Sequence, residues 1–368
     1  MKQTIKPTRL IHIDVVKSIS ITLVVFGHVY RNADELSLFL QSFRMPLFFL
    51  VSGYFVNHDR YNSFKKVVSR RLNTLILPYL FFYLLTYAYW LLIESNFRGQ
   101  AGGASYDWWL PAVGIIYGSS SYGFMGHNSP LWFIPCLLSV QIIDCYISRI
   151  NNFYFQILAV ILLTASGFYL LPMLHFRLPF GLNTASVVLV FYFSGKYIRR
   201  IHSLGIATKA SIVVGVLIFY YYAILGNFST YDLFTPRFDN KSDYLLQAFS
   251  ASVLIVLICE MCVSLLPKAT IKPLSFFGIN SLIILCLHDP IKRVVIFIYS
   301  KASGISIADI RDDLIHSTSC LILTFLILLP AIYFYNRFLR DLLKIDRAHD
   351  MATRKPLTTT SSTTSGGC

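Results

Sequence analysis

Charge is what this sequence has least of. Asp, Glu, Lys and Arg make up 14% of its 368 residues, where a soluble globular chain carries about one-quarter. That shortage excludes a row of water-facing domains, the arrangement that length alone would suggest. Hydrophobic residues fill 55% of the chain and mean hydropathy is +0.59, so most of the surface must face something other than water. A disulfide framework is also missing. The seven cysteines (136, 145, 259, 262, 286, 320 and 368) lie mostly inside apolar runs and read as small buried apolar side chains. Cys259-Glu-Met-Cys262 has the spacing of a redox motif without its strand–helix context. The histidines are scattered, with no His-x-x-x-His or Cys/His cluster, so no metal site is expected. No cleavable leader is expected either: the first apolar run continues to Tyr30 without a small-residue cleavage site and contains His12, Asp14 and Lys17. With 30 Phe and 23 Tyr, a disordered or fibrous chain is excluded as well.

What the sequence does have is a succession of apolar runs near the length of about 20 residues that a spanning helix needs. Ten are expected, over 10–30, 37–57, 72–93, 130–148, 153–172, 182–198, 210–226, 244–266, 275–299 and 314–335, giving an all-α polytopic membrane protein. The longest connection, 94–129, carries Gly102-Gly103, Trp108-Trp109 and Ser119-Ser120-Ser121. It is too aromatic for a plain linker and reads as a re-entrant or interface-hugging segment. The net charge of +14 would suggest nucleic acid in a soluble protein. Here its placement explains it. With both termini in the cytoplasm, and Lys196 counted at the inner end of its run, 21 of the 32 Lys and Arg fall on inner segments, 7 on outer ones and 4 deeper within helices. That threefold inward bias is the pattern of cytoplasmic loops. Residues 1–345 are expected to form the membrane domain and 346–368 a disordered polar tail ending in a Thr/Ser/Gly run.

An ionisable side chain inside a span costs a few kcal/mol on insertion scales, so each one needs a reason. The first run holds Asp14, Lys17 and His28. At 100° per residue all three share one helix face, with roughly 21 Å of axial rise between Asp14 and His28. Asp14 and Lys17 read as an ion pair near the inner boundary, and His28 lies near the outer one. The second run holds Arg44 and Pro46, then Ser52-Gly53, a small pair that permits close helix approach. Lys65-Lys66 and Arg70-Arg71 read first as a positive-inside anchor, and a basic cluster at a cavity mouth also suits a phosphate-bearing ligand. Gly126-His127-Asn128-Ser129-Pro130-Leu131-Trp132-Phe133 enters the fourth helix from outside. In the ninth, His288 and Asp289 precede Pro290, with Lys292 and Arg293 available to neutralise the carboxylate.

These segments together resemble acyltransferase family 3, the integral-membrane acyltransferases, and most closely its bacterial branch of fucose and polysaccharide O-acetyltransferases. The matching text is Ile13-Asp14, Lys17 and Val24-Val25-Phe26-Gly27-His28; Met45-Pro46-Leu47-Phe48-Phe49 and Ser52-Gly53-Tyr54; Arg71 and Leu77-Pro78-Tyr79; Leu131-Trp132-Phe133; and Ser281-Leu282, His288 and Pro290-Ile291. The order is the family's, over residues 10 to about 335. The resemblance implies transfer of an acetyl group from cytoplasmic acetyl-CoA, a co-substrate and not a bound cofactor, to a hydroxyl of a cell-surface glycan. The acceptor would be O-antigen, enterobacterial common antigen, a similar polymer or a lipid-linked oligosaccharide precursor, and the location the bacterial inner membrane. It implies His28 as catalytic base, with Asp14 and Lys17 ordering the inner end. Lys66, Arg70 and Arg71 would hold acyl-CoA phosphates, and Arg44, Trp132, His288 and Asp289 would line the substrate side. Three positions depart from the family's habit: Lys17 stands where Arg is frequent, Thr74 where a second Arg follows the one matching Arg71, and Arg44 where the related branch has His. A transporter or flippase for a glycan or lipid remains the alternative from another class, although no internal inverted repeat is visible; a succinyl donor is the alternative within the enzyme class.

Overall fold

Helices account for nearly all regular structure. The computed structural model describes residues 10–55, 71–98, 107–174, 176–198, 204–223, 231–233 and 237–339. Lys66, Arg70, Cys368 and the tail 346–368 lie outside these residues. In chain order the main helices are α1 (Ile11–Val29), α2 (Glu35–Tyr54), α3 (Leu77–Tyr89), α4 (Trp109–Tyr117), α5 (Phe133–Ile147), α6 (Phe153–Tyr169), α7 (Leu182–Ile198), α8 (Ile206–Ala223), α9 (Lys241–Leu265), α10 (Lys268–Ile279), α11 (Ser281–Ser303), α12 (Ile307–Asp312) and α13 (Leu314–Phe334). Two-residue strands, Tyr231–Asp232 and Arg237–Phe238, pair antiparallel before α9.

Each of the ten expected runs corresponds to helix where it is described. Among the described residues, seven helical stretches are long and apolar enough to cross a membrane: Ile11–Val29, Glu35–Tyr54, Asn73–Glu94, Ser129–Ile147, Phe153–Met173, Lys241–Leu265 and Leu314–Leu339. The other three fall short for visible reasons. α7 has 17 residues, and in α8 the apolar stretch is Ile206–Phe219. The expected span 275–299 is divided at Asn280 into α10 and α11, and α11 carries Asp289, Lys292 and Arg293 in its middle.

The charged first helix is hidden by its neighbours. α1 packs against α2, α9, α10, α11 and α13, burying Ile13, Val16, Ile21 and Val25 together with Asp14, Ser18 and Ser20. α2 in turn packs against α7 through the small residues that the sequence marks. A Cβ added at Gly53 would fall on the Tyr192 carbonyl oxygen, so only glycine lets the two backbones approach this closely.

The long connection after α3 folds back along that helix. Tyr79, Tyr83 and Tyr87 recur one turn apart, so they share a face. The Tyr87 hydroxyl donates to the Trp108 carbonyl at 2.7 Å and Tyr79 to that of Ile115 at 3.1 Å. Tyr83 lies 2.7 Å from the Pro111 carbonyl oxygen and 2.8 Å from that of Phe124, and its one proton serves both in turn. Because these bonds run in reverse order along the two segments, α4 runs antiparallel to α3, and the turn at Phe124 comes back beside it. Carbonyls with no water to meet need such donors. Trp108 and Trp109 stay exposed where the segment begins.

Candidate active site

The densest polar cluster lies where α1 ends, and α11 builds most of it. Pro290 has no N–H, so the carbonyl four residues earlier, that of Cys286, loses its helical partner. Asn128, at the end of the returning segment, donates its side-chain amide to that oxygen at 2.7 Å and lies 3.4 Å from the Thr86 hydroxyl. One turn further, Asp289 is paired with Lys292 at 2.7 Å and with Arg293 at 3.0 Å, as the spacing i, i+3 and i, i+4 allows. Arg293 also pairs with Glu94 at 3.0 Å and donates to the His127 carbonyl. His288, Lys292 and Asp289 are 0%, 3% and 6% exposed, so these charges have exchanged water for one another.

Onto this cluster α1 brings His28, half-buried, with its ring 5.2 Å from that of His288. Two cations hold the helix end that carries it. Arg311, on α12, donates to the carbonyls of His28 at 3.0 Å and Val29 at 3.3 Å, and Lys292 reaches the His28 carbonyl at 3.2 Å. Those carbonyls form the negative end of the α1 dipole and have no partner within the helix, so cations there satisfy both needs. Burial, with Arg31 nearby, pushes the Arg311 guanidinium down to about 10, which still leaves it charged at neutral pH.

Arg44 completes this end. Its carbonyl oxygen accepts from the Ser20 hydroxyl at 3.3 Å, yet its guanidinium lies against Gly27, where a Cβ would collide with Nη1. Seven residues of α1, roughly 10 Å, separate those two contacts, so the side chain runs up along α1 toward His28. The Phe26-Gly27-His28 sequence thereby acquires a physical meaning: glycine makes room for a guanidinium beside an imidazole.

The opposite end of α1 holds a separate set. Asp14 and Lys17 are 3.9 Å apart, the ion pair that their spacing suggests, and the Lys17 ammonium sits 4.4 Å over the Phe55 ring. Gly278, on α10, donates its N–H to the Ser18 hydroxyl at 2.6 Å. Arg71 is half-buried, and its charge acts on Asp144. Asp144 is itself ion-paired with Lys196, which also donates to Ser148 at 3.1 Å.

Of the residues singled out by sequence, the structure brings His28, His288, Asp289 and Arg44 to one end and Asp14, Lys17 and Arg71 toward the other. Trp132 is half-buried beside Phe133. Five described cysteines are buried and Cys262 is exposed. Sequence reasoning missed Arg311, Asp144 and Lys196, and named Asn128 only as part of a segment, without a role. Lys196 and Lys209 count by position as inner loop charges, but both are buried, paired with Asp144 and, at 2.6 Å, with Glu260. Asp144 was detectable as an ionisable group within an apolar run, and Asn128 through the acceptor that Pro290 must free. A flank groove of about 420 Å³, lined by Phe153, Ile157, Val190, Phe193 and Tyr197 among others, has no carboxylate, imidazole or cation in its wall and offers a transfer reaction no chemistry.

Comparison with known proteins gives the assembly a family. Residues 10–336 match the acyltransferase 3 family model, described as an acyltransferase domain. Neither the comparison with curated proteins nor that with solved structures gave a match. The family model runs from the start of α1 to just beyond the end of α13, taking in every residue of both polar sets, and the chain therefore belongs to this acyltransferase family, as a multi-pass membrane acyltransferase.

Proposed function

We propose that the protein is an inner-membrane O-acetyltransferase of a bacterium, moving an acetyl group from cytoplasmic acetyl-CoA to a hydroxyl of a cell-surface glycan or its lipid-linked precursor. The observation that carries this reading is the meeting of a half-buried imidazole, His28, with the Arg44 guanidinium laid over Gly27. Acyl transfer asks for those two groups together: a base for the attacking hydroxyl and a positive charge for the oxygen that becomes negative.

In the proposed reaction the acceptor hydroxyl donates its proton to His28 while its oxygen attacks the thioester carbonyl. A C–O bond forms, and the carbonyl oxygen takes up negative charge facing Arg44. Collapse of this intermediate breaks the C–S bond, and the leaving thiolate takes the proton back from His28. The products are the ester and the free thiol, with atoms and charge balanced. Asp14 and Lys17 lie roughly 21 and 16 Å from His28 along α1, at the end proposed to face the cytoplasm, where Lys17 and Arg71 would meet the phosphates of acyl-CoA with positive charge. Lys66 and Arg70 are proposed to join them there.

Membrane fractions given acetyl-CoA labelled in its acetyl group test the reading. Label is expected on extracted glycan, with glycan mass raised by one acetyl unit in cells that carry the chain. Label arriving only from succinyl-CoA would change the acyl group and keep the enzyme. Glycan that crosses the membrane without ever gaining label would favour a transporter and sink the proposal.

A further inference from the structure

His288 offers a hydrogen-bonding atom that ion pairing does not use. Its Nδ1 lies 2.8 Å from the Ile284 carbonyl oxygen. A carbonyl oxygen only accepts, so Nδ1 carries a proton, and in the neutral ring Nε2 is then a bare lone pair. That Nε2 is buried and makes no hydrogen bond among the described residues, and the His288 ring lies beside that of His28, with centroids 5.2 Å apart and planes inclined by 50°. Ring nitrogens stand out from their centroids, so at this separation a nitrogen of His28 and the bare one of His288 can come within hydrogen-bond distance.

A carboxylate is the usual partner for a catalytic imidazole, and Asp289 stands next to His288 in sequence. It is engaged elsewhere, held between Lys292 at 2.7 Å and Arg293 at 3.0 Å, with Arg293 tied on to Glu94. Those pairs engage the carboxylate and leave the neighbouring imidazole, beside the His28 ring, with the unused acceptor.

We infer that His288 is the positioning residue of His28. Its Nε2 accepts the N–H of one His28 nitrogen and so selects the tautomer in which the other His28 nitrogen is bare toward the acceptor hydroxyl. When His28 takes the hydroxyl proton, that same bond persists from the imidazolium; His288 gains no proton, which returns to the leaving thiolate through His28. The fixed Nδ1–H to Ile284 is what makes His288 an acceptor and not a donor at this contact. The inference rests on the reading of His28 as the base.

Kinetics of the full-length protein in proteoliposomes, with kcat and KM measured for acetyl-CoA and acceptor, test it. His288→Phe fills the space without an acceptor and is expected to lower kcat about 10²-fold with both KM values within twofold of wild type. His288→Gln, whose amide oxygen can accept the same bond, is expected to recover at least tenfold of that loss, which a purely structural role would not produce. Combining His288→Phe with His28→Gln is expected to add nothing to His28→Gln alone, because the two act as one unit. A folded His288→Phe protein with kcat within threefold of wild type overturns the inference, as does a Gln variant no faster than the Phe one. Should the Phe variant not fold, His288→Leu takes its place with the same outcomes. If His28→Gln itself stays active, the base reading fails first, and that result is separate from any seen at His288.

Discussion

Two buried charge clusters sit at opposite ends of this bundle, and they are built on different plans. Asp144 and Lys196 make a closed set: one carboxylate, one ammonium and a serine hydroxyl at 3.1 Å. The cluster on α11 is open. Asp289 has two cations, one of them shared with Glu94; Lys292 and Arg311 also hold the end of α1; and His288 keeps a bare nitrogen beside His28. The Asp144–Lys196 pair has met its own needs, whereas the α11 cluster retains at His288 an acceptor that no hydrogen bond among the described residues uses. In a chain this poor in charge, the distinction separates what holds the helices together from what is proposed to perform the chemistry.

Breaking one partner in each cluster sharpens that contrast. Asp289→Asn leaves the buried Lys292 without its carboxylate and Arg293 with Glu94 alone, and removing one member of a buried pair costs about 3–5 kcal/mol. Thermal denaturation in detergent is expected to show that loss, and acyl transfer per folded molecule is expected to fall as well, because Lys292 also holds His28. Asp144→Asn is expected to cost a similar amount of stability while leaving transfer per folded molecule within threefold. Replacing the closed pair together, Asp144→Leu with Lys196→Met, is expected to return stability to within about 1 kcal/mol of wild type, since well-packed apolar groups often match a buried pair. A double variant as unstable as the single one would show that the pair does more than fill its site.

Smaller effects follow from single groups. Asn128→Leu leaves the carbonyl freed by Pro290 without a donor, which should cost about 1–3 kcal/mol on the same melting assay. Tyr79→Phe removes one hydroxyl from the row that holds α4 and is expected to cost about 0.5–1.5 kcal/mol, with protease nicking of 107–128 as the local readout. Gly27→Ala is expected to leave melting within 1 kcal/mol, because the displaced atom is the end of a flexible side chain, and to lower transfer roughly tenfold by moving Arg44 away from His28; unchanged transfer would remove Arg44 from the reaction.

Much of the fold was legible because the bilayer is a demanding solvent. Apolar runs of the right length had to be helices, and Ser52-Gly53 had to be a close approach. The division at Asn280 was not legible, since hydropathy reads 275–299 as one run while the charges within α11 are hidden by pairing. His28, Asp14 and Lys17 announced themselves as ionisable groups within a span. Arg311 did not, because it comes from a short helix nearly three hundred residues away in sequence and acts through its grip on a backbone carbonyl, a contact that no local pattern encodes. Lys196 was misread for the opposite reason: near a helix end, a lysine that anchors in the headgroups and one buried against Asp144 look alike in sequence.

The most direct measurement is the initial rate of labelled acetyl transfer by purified, folded protein carrying His28→Gln, set beside the Asp144→Leu/Lys196→Met protein under the same conditions. The account predicts a loss of about 10³-fold for the first, with its melting temperature unchanged, and a rate within threefold of wild type for the second. A His28→Gln protein that still transfers acetyl at the wild-type rate would contradict it.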